Sequence, residues 1–509
     1  MELSRSQKSA KNAVYSILLQ LVTVASNFAT KTVFIKYLGI QYAGLSALFT
    51  DVLGILSIAE LGFGTAMGYA LYLPLHKKDY DQIARLLKQY RKIYRVVMAV
   101  IVAAGIVCVP LLKYIVKDVP DIHESIHLIF LLYVLQTAAS YCLMYKSILL
   151  DADQQKSTVS KISIVCHLVQ MVVTMGVLIF TKNYYLYMVS YIALVVLTNV
   201  FVSRVADRMY PLKQMSEAEE LSEGDKKELY KNVRALAIYK ISGTLQKSLD
   251  SVIISMFLGT GLVGIVANYR MIAYRVDGLF GQIMEGMRAS IGNLASEGDK
   301  DRQYAVFRKS CFLAFAIGNT ICVALLTLLN PFVNIWLGSE YLLNIEVVAL
   351  LVLDVYILTM TRAYENFRIA NALFIQGKYR PVAMVIINIV ASVLLARSYG
   401  LAGILFATIL TRVATHVWYD PWLCYRYVFK RPFLPYLGMK AVYFLVFAAN
   451  AALVCFLGTF VSTGSSYGDF VLLAMLAFLV PNITLIALFG RTAEFAGLKT
   501  TLCSLIRRK

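Results

Sequence analysis

The sequence predicts an all-α polytopic membrane protein of about fourteen transmembrane helices, arranged as two pseudo-symmetric six-helix lobes plus two C-terminal helices. Three observations predict it. Of 509 residues, 59% are hydrophobic and 16% charged, with mean hydropathy +0.67, whereas soluble domains run at about 45–50% apolar and about 25% charged. Roughly 300 apolar residues, at about 20 per crossing, supply about fourteen spans. The basic residues alternate between connections, and one segment recurs 220 residues later.

The apolar runs place spans at 12–37, 43–73, 90–112, 124–150, 158–181, 185–208, 233–258, 262–292, 306–330, 343–374, 379–397, 400–425, 434–461 and 468–490. Several exceed the hydrocarbon thickness and are expected to tilt or to project into water. A short basic tail (Arg5, Lys8, Lys11) leads directly into the first span, with no cleavable signal expected. The tails and even-numbered connections hold 23 of the 49 Lys and Arg, including Lys77, Lys78, Lys227, Lys378, Arg431 and Arg508, with Arg208 and Arg380 at the span ends beside them. The odd-numbered connections hold three, Lys113, Lys117 and Lys182, with Arg397 at the span end beside another. This asymmetry puts both termini in the cytoplasm. It also accounts for the net charge of +19, which in a soluble protein would point to nucleic acid; no nucleic-acid partner is expected here.

The repeat pairs Leu38-Gly39-Ile40-Gln41-Tyr42-Ala43-Gly44-Leu45 with Leu258-Gly259-Thr260-Gly261-Leu262-Val263-Gly264-Ile265. The same offset pairs Asn12 with Asn232, Asp79 with Asp299 and Asp81 with Asp301. Because six spans is an even number, two copies enter from the same side and form parallel repeats. The expected organisation is an N-lobe over 1–208, a cytoplasmic linker with a short amphipathic helix over 209–231, a C-lobe over 232–428, and two spans with a basic tail over 429–509. Such a two-lobe bundle needs no partner copy, so a monomer is expected.

Several chemistries are excluded or weak. There is no nucleotide phosphate loop, EF-hand, H-E-x-x-H or G-x-S-x-G, so no ATP hydrolysis, enzymatic activity, cofactor or metal is expected. Cys108, Cys142, Cys166, Cys311, Cys322 and Cys455 lie in apolar runs without CxxC spacing and read as small core residues. His123 and His127, four apart, share a helix face but have no third ligand in the sequence nearby; a solvated helix end outweighs a metal site. The segment Asp79–Tyr94 sets Ile83, Leu86, Leu87, Tyr90 and Tyr94 among Lys and Arg. It reads as an interfacial helix on the anionic inner leaflet.

Charges inside spans are the informative residues, each costing about 2.5–3.5 kcal/mol at mid-membrane. Arg270, Tyr274, Asp277, Gly281, Glu285 and Arg288 follow at steps of three and four and form one face of span 8. Lys240, Thr244, Lys247 and Ser251 make a similar stripe in span 7, beside Asp250. Span 1 adds Gln20, Thr23, Asn27 and Lys31; span 2 adds Asp51 and Glu60. Two readings stand. In one, Asp277 and Glu285 neutralise Arg270 and Arg288 in a packed bundle. In the other, the cationic residues Arg270, Arg275, Arg288, Lys240, Lys247 and Lys31 line a cavity for an anionic ligand, with Asp277, Glu285, Asp250 and Glu60 as supporting or coupling carboxylates. Asp354, Arg362, Glu365 and Arg368 in span 10 read first as a structural ion network, and Asp354 and Glu365 second as ion-coupling carboxylates.

The stretch Leu56-Ser57-Ile58-Ala59-Glu60-Leu61-Gly62-Phe63-Gly64-Thr65-Ala66, followed by Tyr69-Ala70-Leu71-Tyr72-Leu73-Pro74-Leu75, resembles the polysaccharide repeat-unit (O-antigen and capsule type) flippases of the multidrug/oligosaccharidyl-lipid/polysaccharide (MOP, MATE-like) superfamily. Val33-Phe34-Ile35, Leu38-Gly39 and Gly44-Leu45 extend the resemblance, as do the span count and lobe order. It implies translocation of an undecaprenyl-pyrophosphate-linked glycan across the bacterial cytoplasmic membrane by alternating access. It further implies a cationic cavity in the region of spans 1, 2, 7 and 8. H+ or Na+ is the candidate coupling ion and a polysaccharide polymerase the candidate protein partner. An ion-coupled multidrug or toxin antiporter is the rival reading; such proteins favour cavities rich in carboxylates, against the surplus of Arg270, Arg275, Arg288, Lys240 and Lys247 over Asp250, Asp277 and Glu285 in spans 7 and 8. A polytopic glycosyltransferase is weaker still, since every outer loop is short.

Overall fold

The computed structural model describes residues 5–497 apart from 61–62, 118–121, 154, 211–218, 372, 374–375 and 378. The described residues are helical throughout, with no strand among them. In the first half run α1 (Arg5–Leu38), α2 (Ile40–Leu56), α3 (Phe63–Lys77), α4 (Tyr80–Cys108), α5 (Leu112–Ile115), α6 (Ile126–Ser140), α7 (Met144–Ala152), α8 (Lys156–Thr181) and α9 (Tyr184–Met209). Then come α10 (Glu223–Leu258), α11 (Thr260–Gly286), α12 (Arg288–Glu297), α13 (Lys300–Trp336), α14 (Ile345–Ala370) and α15 (Arg380–Arg412). The chain closes with α16 (Tyr419–Leu423), α17 (Leu434–Gly458) and α18 (Ser466–Phe489). Nine described helical stretches are long and apolar enough to cross a bilayer, and this is a multi-pass membrane protein.

Most expected spans coincide with helices; four differ for local reasons. Span 2 is broken: α2 gives way to a 3₁₀ turn over Ser57–Glu60 before α3. Span 4 is broken at Tyr141–Leu143, where Leu143 takes φ 63°, a left-handed backbone. The Asn199 side-chain amide covers the break, donating to the Ser140 carbonyl at 3.1 Å and to that of Ala139, which also accepts from the Cys142 amide, at 3.4 Å. Span 8 divides into α11 and α12. The expected boundary between spans 11 and 12 is a break inside α15 at Gly400, φ 54° and ψ −131°, a conformation that only glycine adopts cheaply. In the described part of the linker, Ser222 caps α10, its hydroxyl accepting from the Asp225 amide at 3.1 Å, and the helix runs on from Glu223 for 36 residues; residues 211–218 lie outside the described residues.

The segment 79–94 requires a correction. It is not a surface helix lying on the leaflet but the first turns of the 29-residue α4. Ile83, Leu86, Leu87, Tyr90 and Tyr94 are buried in a protein core with Met67, Leu71, Tyr145 and Leu149, so their apolar face meets protein rather than lipid. Of the cysteines, Cys311, Cys322 and Cys424 are buried, while Cys455 is exposed on α17.

Repeat-related residues take the same local roles. Gly39 (φ 94°, ψ 173°) and Gly259 (φ 90°, ψ 162°) each close one helix and open the next in a region essentially restricted to glycine. Asp79 and Asp299 are both N-caps, accepting from the Gln82 and Arg302 amides at 2.9 and 3.0 Å. Equivalent glycines also meet. A Cβ on Gly264 would lie 2.9 Å from the Gly44 nitrogen, and one on Gly44 would overlap the Thr260 carbonyl. Gly44→Ala and Gly264→Ala are each expected to cost about 1–3 kcal/mol by overpacking. Gly68→Ala, which meets nothing within 4 Å, is expected to be neutral or stabilising. Melting temperatures of the purified variants in detergent check this.

Packing divides the chain into two compact units, Met1–Gly264 and Ile265–Lys509. In the first, α10 packs on α2 and α5. Ser248 Oγ approaches Gly54, Ser255 Oγ donates to the Ile115 carbonyl at 2.7 Å, and Lys117 Nζ donates to that of Phe257 at 2.8 Å.

Candidate functional site

In the first unit a carboxylate sits at the break in span 2. Glu60 ends the 3₁₀ turn, half-buried, and its Oε2 accepts from Tyr141 Oη at 3.3 Å at the break in span 4. Tyr94 of α4 lies close by: a Cβ on Gly64 would sit 3.7 Å from its hydroxyl and 4.0 Å from Glu60 Oε1. A carboxylate between two broken helices, ringed by phenols, can hold a proton or a cation. Lys31 is half-buried on α1 and Asp250 is buried on α10. Lys240 and Lys247 also fall on α10, but their side chains lie outside the described residues.

In the second unit the polar face of α11 meets α14. Tyr274 Oη donates to Asp354 Oδ2 at 2.9 Å. One turn on, Asp277 is buried, accepts from Thr359 Oγ1 at 3.0 Å, and is bound through both carboxylate oxygens by the guanidinium of Arg362. Gly281 makes room for that guanidinium, since a Cβ there would lie 2.6–3.0 Å from its atoms. Arg288, at the start of α12, donates from Nε to Asn366 Oδ1 at 3.1 Å, and the Asn366 amide caps the Met284 carbonyl at 2.6 Å.

The pairing expected within span 8 is therefore corrected for Asp277. Its partner is Arg362 on α14 rather than an arginine on its own helix. Arg270 lies seven residues away, about 10 Å along the axis, whereas Arg362 reaches across in one turn. Glu285 and Arg288 do lie within 4.0 Å, but both are exposed enough for solvent to screen them. Arg275 is exposed and Arg270 half-buried.

Three of the span 10 charges, Asp354, Arg362 and Arg368, pair with residues of other helices. Asp354 is bound by Arg412 of α15. Arg368 lies 3.4 Å and Arg380 2.7 Å from Oδ2 of Asp420 on α16, which is fully buried and also has His416 Nδ1 at 3.7 Å. Glu365 is half-buried on the same helix. Arg412, His416 and Asp420 escaped the sequence reading, although their spacing of four puts them on one helical face within an apolar run. Two π-helical turns, Val413–Val417 and Cys424–Phe429, flank α16, and Pro421 within it supplies no amide donor. His123 and His127 are exposed, and among the described residues no three His, Cys, Asp or Glu side chains group to hold a metal ion.

No family model matches the chain. No curated protein matches it either. Among solved structures it superposes on the lipid II flippase MurJ, in an inward closed conformation, with TM-score 0.66 at 12% identity, over 94% of this chain and 98% of that one. An inward-facing multidrug resistance MATE family transporter of the MOP superfamily gives 0.60 at 12% identity, over 81% and 98%. The chain has the MOP-transporter fold. A third MOP structure, a transporter from Pyrococcus furiosus with a binding pocket described as reversed in polarity, gives 0.54 at 12% identity, over 82% and 96%. The MOP fold thus accommodates binding pockets of differing polarity, so the side chains of this chain have to carry any argument about its ligand.

Proposed function

We propose that this protein flips a lipid-linked oligosaccharide, carried on undecaprenyl pyrophosphate, across the bacterial cytoplasmic membrane. Two six-helix lobes, 1–208 and 232–428, alternate access, with 429–509 appended and both termini cytoplasmic. One observation carries the reading: the likeness to a lipid II flippase extends over 94% of the chain, against 81% for the multidrug transporter. The charge balance supports it. Asp277 is engaged by Arg362 of α14, so Arg270, Arg275, Arg288, Lys240 and Lys247 outnumber the other two carboxylates of spans 7 and 8, Asp250 and Glu285. Such a surplus suits a pyrophosphate, and arginine grips phosphate bidentately.

In this mechanism Arg270, Arg275, Arg288, Lys240, Lys247 and Lys31 hold the pyrophosphate in a wet groove while the lipid tail stays in the bilayer. The barrier removed is the burial of charge and unsatisfied hydroxyls in hydrocarbon. Glu60, Asp250, Asp354 and Glu365 are the candidate carboxylates for H+ or Na+ coupling. Asp354 would first have to release Arg412. The rival reading, an ion-coupled multidrug antiporter, requires that the arginines serve only structure.

Arg270→Ala and Arg288→Ala are expected to abolish glycan export while the protein stays folded and inserted. Losing a buried phosphate contact costs about 2–5 kcal/mol, roughly 30- to 4,000-fold in affinity. Lysine at either position should rescue partly, keeping the charge without the fork. Export is assayed in cells alongside protein level and melting temperature, which separates loss of the Arg288–Asn366 bond from loss of transport. Full export by a stable double alanine variant would overturn the reading.

A further inference from the structure

The outer face of α4 is as distinctive as its buried one. Arg85, Lys88, Arg91, Lys92 and Arg95 fall at steps of three and four on the side opposite Ile83, Leu87, Tyr90 and Tyr94. They line a groove of about 500 Å³ between α4 and residues 220–221. A neighbouring groove of about 400 Å³ runs on between α4 and the start of α10, lined by Phe63, Val97, Val100 and Tyr230. Gln89, Lys92 and Val96 line both, so the two are continuous.

The charge on this groove is one-sided. Among the described residues Glu220 is its single lining carboxylate, and a 3.0 Å hydrogen bond from Lys226 holds it below the usual carboxylate range. Arg85 is bound by Glu219 at 2.8 Å, outside the lining. Arg91, Lys92 and Arg95 are exposed. Immediately along the same face the chain turns apolar, and Val96 and Val100 are 57% and 45% exposed. From Arg85 to Val100 is about 22 Å of helix, the length of a headgroup and much of an acyl chain.

We propose that this groove is a binding site for an anionic phospholipid of the bilayer, with the phosphate on Arg91, Lys92 and Arg95 and an acyl chain along Val96, Ala99 and Val100. A cationic end adjoining an apolar end matches an amphiphile and no soluble anion. Polybasic turns beside a membrane span attract anionic lipid, with each cation contributing about fivefold in affinity. The site lies on the outside of the first unit and does not depend on the transport reading.

The test uses the full-length protein in detergent with dioleoylphosphatidylglycerol or dioleoylphosphatidylcholine added, bound lipid being counted by native mass spectrometry. The triple variant Arg91→Gln, Lys92→Gln, Arg95→Gln should lose phosphatidylglycerol on the order of a hundredfold, with phosphatidylcholine unchanged. Val96→Trp, which fills the groove without touching charge, should weaken phosphatidylglycerol severalfold. Lys77→Gln, Lys78→Gln, outside the groove, should bind as wild type, and millimolar inorganic phosphate should not compete. The proposal is overturned by equal retention of both lipids in wild type, by wild-type phosphatidylglycerol binding in the triple variant or in Val96→Trp, by an equal loss in the Lys77, Lys78 control, or by displacement with inorganic phosphate.

Discussion

Asp420→Ala is expected to destabilise the C-terminal unit by about 3–5 kcal/mol, a large share of a protein's net stability. Asp420 is fully buried, and its Oδ2 gathers Arg368, Arg380 and His416, with Arg368 only 4% and Arg380 only 10% exposed. Removing the carboxylate takes from Arg368 and Arg380 the charge they share, and their mutual repulsion adds to their desolvation. Asp420→Asn keeps the shape and one acceptor but not the charge, and should fall between wild type and alanine. Melting of the purified protein in detergent reads the effect. An unchanged melting temperature for Asp420→Ala would mean that both arginines find other acceptors, and the cluster would lose its structural role.

Arg362→Ala is the second large effect, again about 3–5 kcal/mol, because it strands the buried Asp277 carboxylate with Thr359 as its remaining hydrogen-bond donor from α14. Asp277 and Arg362 touch, so their effects should be strongly non-additive. Adding Asp277→Ala to Arg362→Ala should recover much of the loss, whereas adding it to Arg270→Ala should not. Gly281→Ala supplies an independent check. Alanine is the better helix former by about 1 kcal/mol, yet its Cβ would collide with the Arg362 guanidinium. A stabilised Gly281→Ala, or additive losses at 277 and 362, would refute the pairing.

The candidate site was legible in part. Asp277, Arg362 and Asp354 were visible as charges in apolar runs, because a charge in hydrocarbon is costly wherever its helix sits. Their partners were not. Asp277 and Arg362 are 85 residues apart, and which arginine reaches which carboxylate depends on the rotation of packed helices.

The sequence by itself determined the membrane class, the approximate places of most helices, and the repeat-related residues Gly39, Gly259, Asp79 and Asp299 whose local roles match in the two copies. Each of these follows from short-range physics: transfer of apolar groups from water, the backbone angles open to glycine, and a carboxylate within reach of an amide three residues on. Only the tertiary structure decided that α4 buries its tyrosines in protein and turns its arginines outward, that span 4 breaks where Asn199 can satisfy it, and that Asp420 anchors an ion cluster. Those outcomes depend on what a neighbouring helix presents to each face, and a linear pattern carries the face but not its neighbour.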